Sequence, residues 1–252
     1  MSLATLVGPL LRGTLDLLLP RACVSCDGAL DGEEPGLVCG RCWSRLLLLP
    51  SPRCERCGHP RRRGDCTWCS LLPPFVRAVR SVCWLPGGTA GPIVHALKYD
   101  GWPATADGMA ERMARLAWPA DVVAERTALI PVPLSPTRQR ERGFNQSELL
   151  ATALAARWRI PVWSSALGRT RATQTQTRLT PAERSSNVAG AFRATDAAHS
   201  TLRGAHVVLV DDVVTTAATL NACADALFAA GARIPSYVTF GRAPASGDRT
   251  GP

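Results

Sequence analysis

The segment of residues 207–219, VVLVDDVVTTAAT, constrains the fold of this chain more than any other stretch. Its four leading apolar residues are rich in valine and predict a strand that is buried on both faces of a parallel sheet. Two carboxylates, Asp211 and Asp212, end this strand, and the apolar pattern of residues 220–230 predicts a helix after it. Because ligands bind at the carboxyl ends of strands in open α/β sheets, the segment predicts a binding site there.

The loop between this strand and this helix has the chemistry of a phosphate site. Amide groups at a helix N-terminus are unpaired and lie at the positive end of the helix dipole, which favours a phosphate. The hydroxyl groups of Thr215, Thr216 and Thr219 add hydrogen-bond donors. The aspartates would repel the phosphate, so they are predicted to hold ribose hydroxyls or a ligand-bound Mg²⁺. The alternative is an ordinary strand with an acidic end, which does not account for the threonines that follow.

Eight of the ten cysteines form four Cys-x-x-Cys pairs between residues 23 and 69. This spacing is typical of zinc, and we predict a module of residues 20–72 with two structural sites that fold only with metal. Spacing alone also allows a crossed pairing, but the simplest assignment is sequential. It gives one zinc ion to Cys23, Cys26, Cys39 and Cys42, and the other to Cys54, Cys57, Cys66 and Cys69.

The N-terminal residues 1–19 are apolar, but Arg12 and Asp16 interrupt them. We predict an amphipathic helix for this segment, because it lacks the features of a secretory signal and of a membrane span. Cysteines in zinc spacing, without a credible signal peptide, predict a protein of the reducing cytoplasm.

The prolines at 73 and 74 predict the end of the cysteine module. After them, segments with the composition of strands alternate with helical patterns, which predicts an α/β domain with a parallel sheet over residues 75–242. Residues 243–252 are rich in proline, glycine and serine and are predicted to be disordered. The further predicted strands are residues 77–85, 128–133, 161–166 and 236–240, and the longer predicted helices are residues 104–118 and 147–158.

Three other segments carry candidate chemistry. Lys98, in the sequence LKYDG, is the only lysine among 29 basic residues. A segment with Arg138, Arg140 and Arg142 follows a predicted strand, and guanidinium groups suit pyrophosphate oxygens. The alternative for this segment is an exposed basic loop that contacts the DNA backbone. Residues 169–192 are polar and aperiodic and predict a long ordered loop over the site.

The segment of residues 207–219 resembles the phosphoribosyl pyrophosphate (PRPP) motif of type I phosphoribosyltransferases. The motifs LKYDG, RQRERGFNQSELLA and TQTRLTPAERSSNVAGAF follow the cysteine module in the order seen in ComF/ComFC-like competence proteins. This resemblance covers roughly residues 10–241. It implies a parallel-sheet phosphoribosyltransferase core, a small N-terminal zinc-ribbon module and a role in DNA uptake during natural transformation.

The resemblance also implies roles for individual residues. The acidic pair would hold the ribose, directly or through Mg²⁺, the loop of residues 215–219 would hold the 5-phosphate, and the basic residues would hold the pyrophosphate. The predicted catalytic residues are Asp211, Asp212, Lys98 and Arg142. The predicted ligand-binding residues are Val213, Thr215, Thr216, Ala217, Ala218, Thr219, Arg138 and Arg140. Ala217 stands where the family has glycine, which costs on the order of 1 kcal/mol if the position requires a positive φ.

Three functions are compatible with the sequence. The first is an enzyme in which an acceptor, not specified by the sequence, attacks C1 of PRPP and releases pyrophosphate. The second is a non-catalytic adaptor that binds single-stranded DNA through the zinc module and basic segments, alongside competence proteins such as a DNA-translocating helicase. The run of residues 61–63, RRR, suits such contacts or a solvated loop. The third is a nucleotide-responsive regulator. Only two tyrosines are present, and no aromatic stacking platform is predicted.

Overall fold

The computed structural model describes residues 21–30, 36–61, 66–171, 188, 190–244 and 248. The predicted helix of residues 1–19 therefore lies outside the described residues. The same holds for most of the predicted tail, and for residues 172–187 and 189 of the polar segment.

The core of the molecule is a four-stranded parallel sheet, which confirms the parallel sheet predicted from the sequence. Its strand order is β1-β6-β5-β2. Strands β3 and β4 form a separate antiparallel pair. In chain order the strands are β1 (Val79–Trp84), β2 (Arg126–Pro131), β3 (Leu167–Arg169), β4 (Phe192–Ala194), β5 (His206–Val214) and β6 (Ile234–Arg242).

Helices cover both faces of this sheet. In chain order they are α1 (Gly40–Ser44), α2 (Ala90–Lys98), α3 (Thr105–Ala114), α4 (Ala120–Glu125), α5 (Pro136–Arg142), α6 (Gln146–Trp158), α7 (His199–Leu202) and α8 (Ala218–Ala229). Two 3₁₀ turns, Thr67–Leu71 and Asp196–Ala198, complete the helical segments of the described chain. Each of the described helices is too short or too polar to cross a bilayer.

Strand β5 is buried on both faces, which confirms the prediction from its valine-rich sequence. Val207 and Leu209 pack into the core shared with α8, whereas Val208 and Val210 pack into the core shared with α3 and α6. This alternation follows from the two-residue period of a strand. The carboxyl end of β5, with its aspartates, is therefore held by packing on both sides.

Two predicted elements differ from the structure. The predicted helix of residues 104–118 ends at Ala114, and a second helix, α4, begins after Pro119. The ring of Pro119 cannot continue a helix but is tolerated at its start. The predicted strand of residues 161–166 is reduced to one parallel bridge between Leu129 and Val162. A turn, in which Ala166 N donates to Trp163 O at 3.1 Å, ends this pairing and leads into β3.

The cysteine module covers the outer edge of β1. Trp84 N donates to Leu47 O at 2.8 Å, and Val79 N donates to Arg56 O at 2.8 Å. Its first cysteine cluster packs into the core on the α3 and α6 face of the sheet, and its second packs into the core on the α8 face. The module thus protects an edge strand from pairing with another chain and shares both hydrophobic cores with the sheet.

Candidate functional site

A cavity of about 720 Å³ lies at the carboxyl ends of β1, β2 and β5. This is the edge at which open parallel sheets bind ligands. Its lining combines an apolar part, which includes Leu85, Pro86 and Val132, with a charged part. The charged side chains in the lining are Lys98, Arg138, Arg142, Arg169, Asp211 and Asp212.

The cavity brings together most of the residues that the sequence singled out. Those in its lining are Lys98, Arg138, Arg142, Asp211, Asp212, Val213, Thr215, Ala217, Ala218 and Thr219. Two predicted residues, Thr216 and Arg140, are not part of the lining. The Thr216 hydroxyl is buried without a hydrogen-bond partner among the described residues, and Arg140 is exposed on α5.

The acidic pair lies in the last four residues of β5, where Asp212 is buried, Asp211 is half-buried, and both contact protein groups. The Asp211 carboxylate accepts a hydrogen bond from Ser147 Oγ at 2.8 Å and another from the Asp212 amide at 2.9 Å. The Asp212 carboxylate accepts a hydrogen bond from Gln146 Nε2 at 3.3 Å and forms an ion pair with the Lys98 ammonium. The pair therefore reaches into β5, α2 and α6 at once.

The pKa values of the two carboxylates are shifted in opposite directions. Burial, and then the charge of Asp212, raises the pKa of Asp211 to about 7. Burial would also raise the pKa of Asp212, but the Lys98 ammonium outweighs it and holds that pKa below its ordinary value. Asp212 is therefore the charged member of the pair, and Lys98 is its counter-ion.

The start of α6 positions the two side chains that contact the acidic pair. Asn145 caps this helix, because its side-chain oxygen accepts from the Ser147 amide at 3.0 Å. The same side chain donates from Nδ2 to Val132 O at 3.1 Å and so ties the helix to the end of β2. Gln146 and Ser147 then face β5 from the first turn. The sequence indicated an amide-containing segment here, but it did not identify Ser147, because only the tertiary fold brings that hydroxyl to Asp211.

The phosphate loop between β5 and α8 contains a left-handed residue. Ala217 has φ 61° and ψ 4°, so this position does require a positive φ. A glycine would adopt that conformation without strain. Asn221 N donates to Ala217 O at 2.8 Å, and Ala217, Ala218 and Thr219, at the start of α8, all line the cavity.

Replacing Ala217 by glycine is expected to raise the free energy of unfolding by up to about 1 kcal/mol, because glycine adopts the left-handed conformation freely. Ala218→Gly is the matched control. Ala218 is helical, so the same change is expected to lower the stability by about 1 kcal/mol. Urea denaturation of both variants measures the difference, and an equal loss in both would contradict this account of the loop.

The arginine-rich segment forms a short helix, α5, whereas both interpretations of the sequence treated this segment as a loop. Ser135 caps it by accepting from the Arg138 amide at 3.3 Å, and Gly143 ends it with φ 76°. Arg138 and Arg142 lie one helical turn apart and both line the cavity, whereas Arg140 lies between them on another face. Helical periodicity thus separates the three arginines.

Two cavity contacts lay beyond the sequence prediction. Arg169, at the end of β3, lines the cavity, although the sequence marked it only as the start of the polar segment. Tyr99 also lines the cavity, and the Arg142 guanidinium lies 4.9 Å from the centroid of its ring. Arg142 in addition donates to Gln146 Oε1 at 2.8 Å. No local sequence signal predicts the place of Arg169 in the lining or the contact between Arg142 and Tyr99, because these involve segments that are distant in the chain.

The eight cysteines of the ribbon form two clusters, and each cluster contains four thiols within 4.8 Å of one another. The clusters follow the sequential assignment, so the predicted pairing is confirmed. Measured Sγ–Sγ distances are 3.9 Å for Cys26–Cys39, 3.5 Å for Cys54–Cys69 and 3.3 Å for Cys57–Cys66. Zn–S bonds of about 2.3 Å in a tetrahedron require about 3.8 Å between sulfurs, so both clusters fit closed zinc sites.

Known proteins match both parts of this architecture. The family model of the double zinc ribbon domain matches residues 14–72, and that of the phosphoribosyl transferase domain matches residues 147–249. The DNA utilization protein YhgH of Escherichia coli (strain K12) is 34% identical over 227 residues, which cover 86% of this chain and 94% of that protein. Competence protein F of Haemophilus influenzae is 36% identical over 216 residues, which cover 79% and 87%.

These similarities extend over the cysteine clusters and the cavity alike. Each relative is aligned along most of its own length, so the similarity is not confined to one shared domain. The ribbon and the sheet also pack as one unit in the structure. The chain belongs to the ComF-like family of proteins that join an N-terminal double zinc ribbon to a phosphoribosyltransferase-type domain.

Proposed function

We propose that this protein binds PRPP together with Mg²⁺ and acts as a phosphoribosyltransferase in the handling of DNA taken up by the cell. The observation that carries the proposal is the joint presence, in one cavity, of an acidic pair, a phosphate loop and arginines from a neighbouring helix. The names of the relatives, DNA utilization protein and competence protein F, support the biological context. Free thiols in zinc spacing support a cytoplasmic location.

For each part of PRPP, the cavity lining contains chemical groups that suit it. The amides of the phosphate loop and the hydroxyls of Thr215 and Thr219 suit the 5-phosphate at the N-terminus of α8. The Asp211 and Asp212 carboxylates suit the ribose hydroxyls, which donate hydrogen bonds to them. Arg138 and Arg142 suit the pyrophosphate, because guanidinium groups bind its oxygens through charge-assisted hydrogen bonds.

The reaction in this proposal breaks the bond between C1 of the ribose and a pyrophosphate oxygen, and forms a bond between C1 and the acceptor. Arg138, Arg142 and Lys98 would stabilise the charge that develops on the departing pyrophosphate, which is where such sites supply most of their catalysis. Carboxylates are suitable Mg²⁺ ligands, and Mg²⁺ would neutralise part of the pyrophosphate charge when bound.

The acidic pair provides the test of this proposal. Asp211→Asn combined with Asp212→Asn is expected to weaken PRPP binding in Mg²⁺ by roughly a hundredfold, because hydrogen bonds to charged groups contribute about 1.5–3 kcal/mol each. Asp107→Asn, on the exposed side of α3, is the matched control and is expected to bind normally. Calorimetric titration measures both variants. Unchanged affinity in the double variant would refute the assigned site.

A second candidate function, contact with single-stranded DNA, is favoured by two exposed aromatic side chains. Tyr99 is 60% exposed at the cavity wall, and Trp102, three residues later, is 48% exposed. Exposed rings next to arginines are typical of surfaces on which bases stack. The sequence predicted no such platform, because composition does not reveal which aromatic side chains stay at the surface.

This second function predicts that Tyr99→Ala weakens binding of an oligothymidylate by roughly tenfold, since stacking of one base on an aromatic ring contributes about 1–3 kcal/mol. Phe228 lies near the C-terminal end of α8, whereas the N-terminus of that helix lies at the cavity. Phe228→Ala removes another exposed ring and is expected to leave the affinity for the oligothymidylate unchanged. Fluorescence anisotropy at several salt concentrations measures the affinities. An affinity independent of salt would contradict contacts to the phosphate backbone.

A further inference from the structure

Asp212, the charged member of the acidic pair, is not open to a metal ion in this structure, although carboxylates suit Mg²⁺. Asp212 is 3% exposed, and its two oxygens face Gln146 and the Lys98 ammonium. Asp211 is half-buried and accepts hydrogen bonds from Ser147 and from the Asp212 amide through one of its two oxygens. A metal ion that approaches Asp212 therefore finds the Lys98 ammonium already bound to this carboxylate.

The Lys98 ammonium and a divalent cation cannot both be bound at Asp212, because their positive charges repel each other. An ammonium group and a divalent cation repel each other strongly at contact distance in a buried site. Asp212 carries one negative charge, and Lys98 already compensates it at hydrogen-bonding distance. Metal binding to the free protein would have to move Lys98 away from its partner. A buried ammonium without a counter-ion is strongly unfavourable, so this displacement is opposed unless another anion receives Lys98.

A diphosphate in the cavity is such an anion. Lys98 lines the same cavity as Arg138 and Arg142, which suit a diphosphate in the proposed function. Its side chain is 21% exposed and lies at the end of α2, and its ammonium group is carried on a flexible four-carbon stem. If Lys98 turns to the diphosphate, it releases Asp212 at the moment when the ligand supplies its metal.

We propose that Lys98 occupies the cation position of the acidic pair in the free protein, so that a divalent cation enters only together with a diphosphate that takes over Lys98. The proposal rests on the proposed function, because it assumes that a diphosphate binds in this cavity. By linkage, Lys98 makes the protein select ligands with a diphosphate group over ribose 5-phosphate, which carries no group in the position to receive the ammonium.

The chemistry of lysine explains why this position differs from every other basic position in the chain. Lys98 is the only lysine among 29 basic residues. An arginine fork would bind a carboxylate through two parallel hydrogen bonds in a fixed plane, whereas an ammonium is a compact charge on a flexible stem. Exchange between two anions requires the second kind of group. Arginine at this position would hold Asp212 more rigidly and hinder the exchange.

The test measures binding of Mn²⁺, as a spectroscopic substitute for Mg²⁺, to the zinc-loaded protein by electron paramagnetic resonance. The free wild-type protein is expected to bind Mn²⁺ at least roughly tenfold more weakly than Lys98→Met, because the ammonium repels the ion. Lys98→Met with Asp212→Asn is the control and is expected to lose the gained affinity. Circular dichroism of each variant checks that the fold is retained.

A second measurement does not depend on removing Lys98. Asp212→Asn is isosteric and releases the ammonium, so in a buffer without added divalent cations the zinc-loaded variant is expected to bind inorganic pyrophosphate roughly tenfold more tightly than the wild type. Weaker or equal pyrophosphate binding by this variant, or equal Mn²⁺ affinity of wild type and Lys98→Met, would overturn the inference. If PRPP with Mg²⁺ still binds the wild type, the proposed function survives that result; if it does not bind, both fail.

Discussion

Removal of zinc from the second cysteine cluster is expected to unfold the phosphoribosyltransferase-type domain and not only the ribbon. Cys57 is fully buried, and it shares a hydrophobic core with Leu209 of β5 and Leu220 of α8. From β6, Arg242 donates to Cys57 O at 2.6 Å and lies 4.2 Å from the Trp68 ring centroid. The second cluster is thus connected directly to the central sheet.

The energies involved support a large effect. Structural zinc contributes apparent free energies of about 10 kcal/mol or more in small modules, whereas whole domains are stable by about 5–15 kcal/mol. Arg242 is fully buried, and burial lowers its pKa to about 10. A zinc ion with four thiolates carries a net charge of −2, which compensates this buried cation. Removal of the metal protonates the thiols and leaves the guanidinium without that charge.

The measurement is thermal denaturation followed by circular dichroism, with and without a zinc chelator. Chelation is expected to lower Tm by more than about 10 °C, since 1 kcal/mol corresponds to about 2–4 °C in a domain of this size. Cys57→Ser is expected to resemble chelation, whereas Cys26→Ser, at the exposed thiol of the first cluster, is expected to cost less. An unchanged cooperative transition after complete zinc removal would contradict this role.

Replacing Arg142 by alanine is expected to weaken PRPP binding by roughly tenfold or more, because a hydrogen bond to a charged group contributes about 1.5–3 kcal/mol. Arg142 lines the cavity and is held there by Gln146. Arg140→Ala is the matched control, since Arg140 is exposed on the same helix and is not part of the lining. The control is expected to change the affinity less than about twofold.

A comparison of two ligands makes this prediction more specific. Ribose 5-phosphate lacks the diphosphate, so Arg142→Ala is expected to change its affinity little while PRPP binding falls. Calorimetry with both ligands measures the two effects. Equal losses for the two ligands would place Arg142 at the 5-phosphate or the ribose, and equal effects of Arg140→Ala and Arg142→Ala would contradict the role of helix geometry.

The parts of the fold that the sequence predicts well are those with local patterns. The valine run of β5 and the Cys-x-x-Cys spacing each specify a strand or a metal site within a few residues. The antiparallel pair of β3 and β4 was not predicted, because these strands have three residues each and are separated by a long polar segment. In the same way, the sequence did not place Pro119 at a helix start, although its ring cannot continue the preceding helix.

The site likewise contains some features that follow from local sequence patterns and others that depend on the tertiary structure. The acidic pair and the phosphate loop are contiguous in sequence and were predicted as a unit. Ser147 reaches Asp211, and Arg169 reaches the cavity lining, only through tertiary packing, which no local sequence pattern predicts. Arg140 was grouped with its neighbours because the segment was interpreted as a loop, whereas the helix α5 turns it away. Lys98 was noted for its rarity, but its ion pair with Asp212 required the three-dimensional structure.

The measurement that tests the central claim most directly is calorimetric titration of the zinc-loaded wild-type protein with PRPP, with and without Mg²⁺. Micromolar binding that requires Mg²⁺ is expected, because the acidic pair accepts a cation only with the diphosphate. Absence of any heat of PRPP binding, both with and without Mg²⁺, would contradict the claim. It would mean that the cavity at the end of β5 does not bind PRPP.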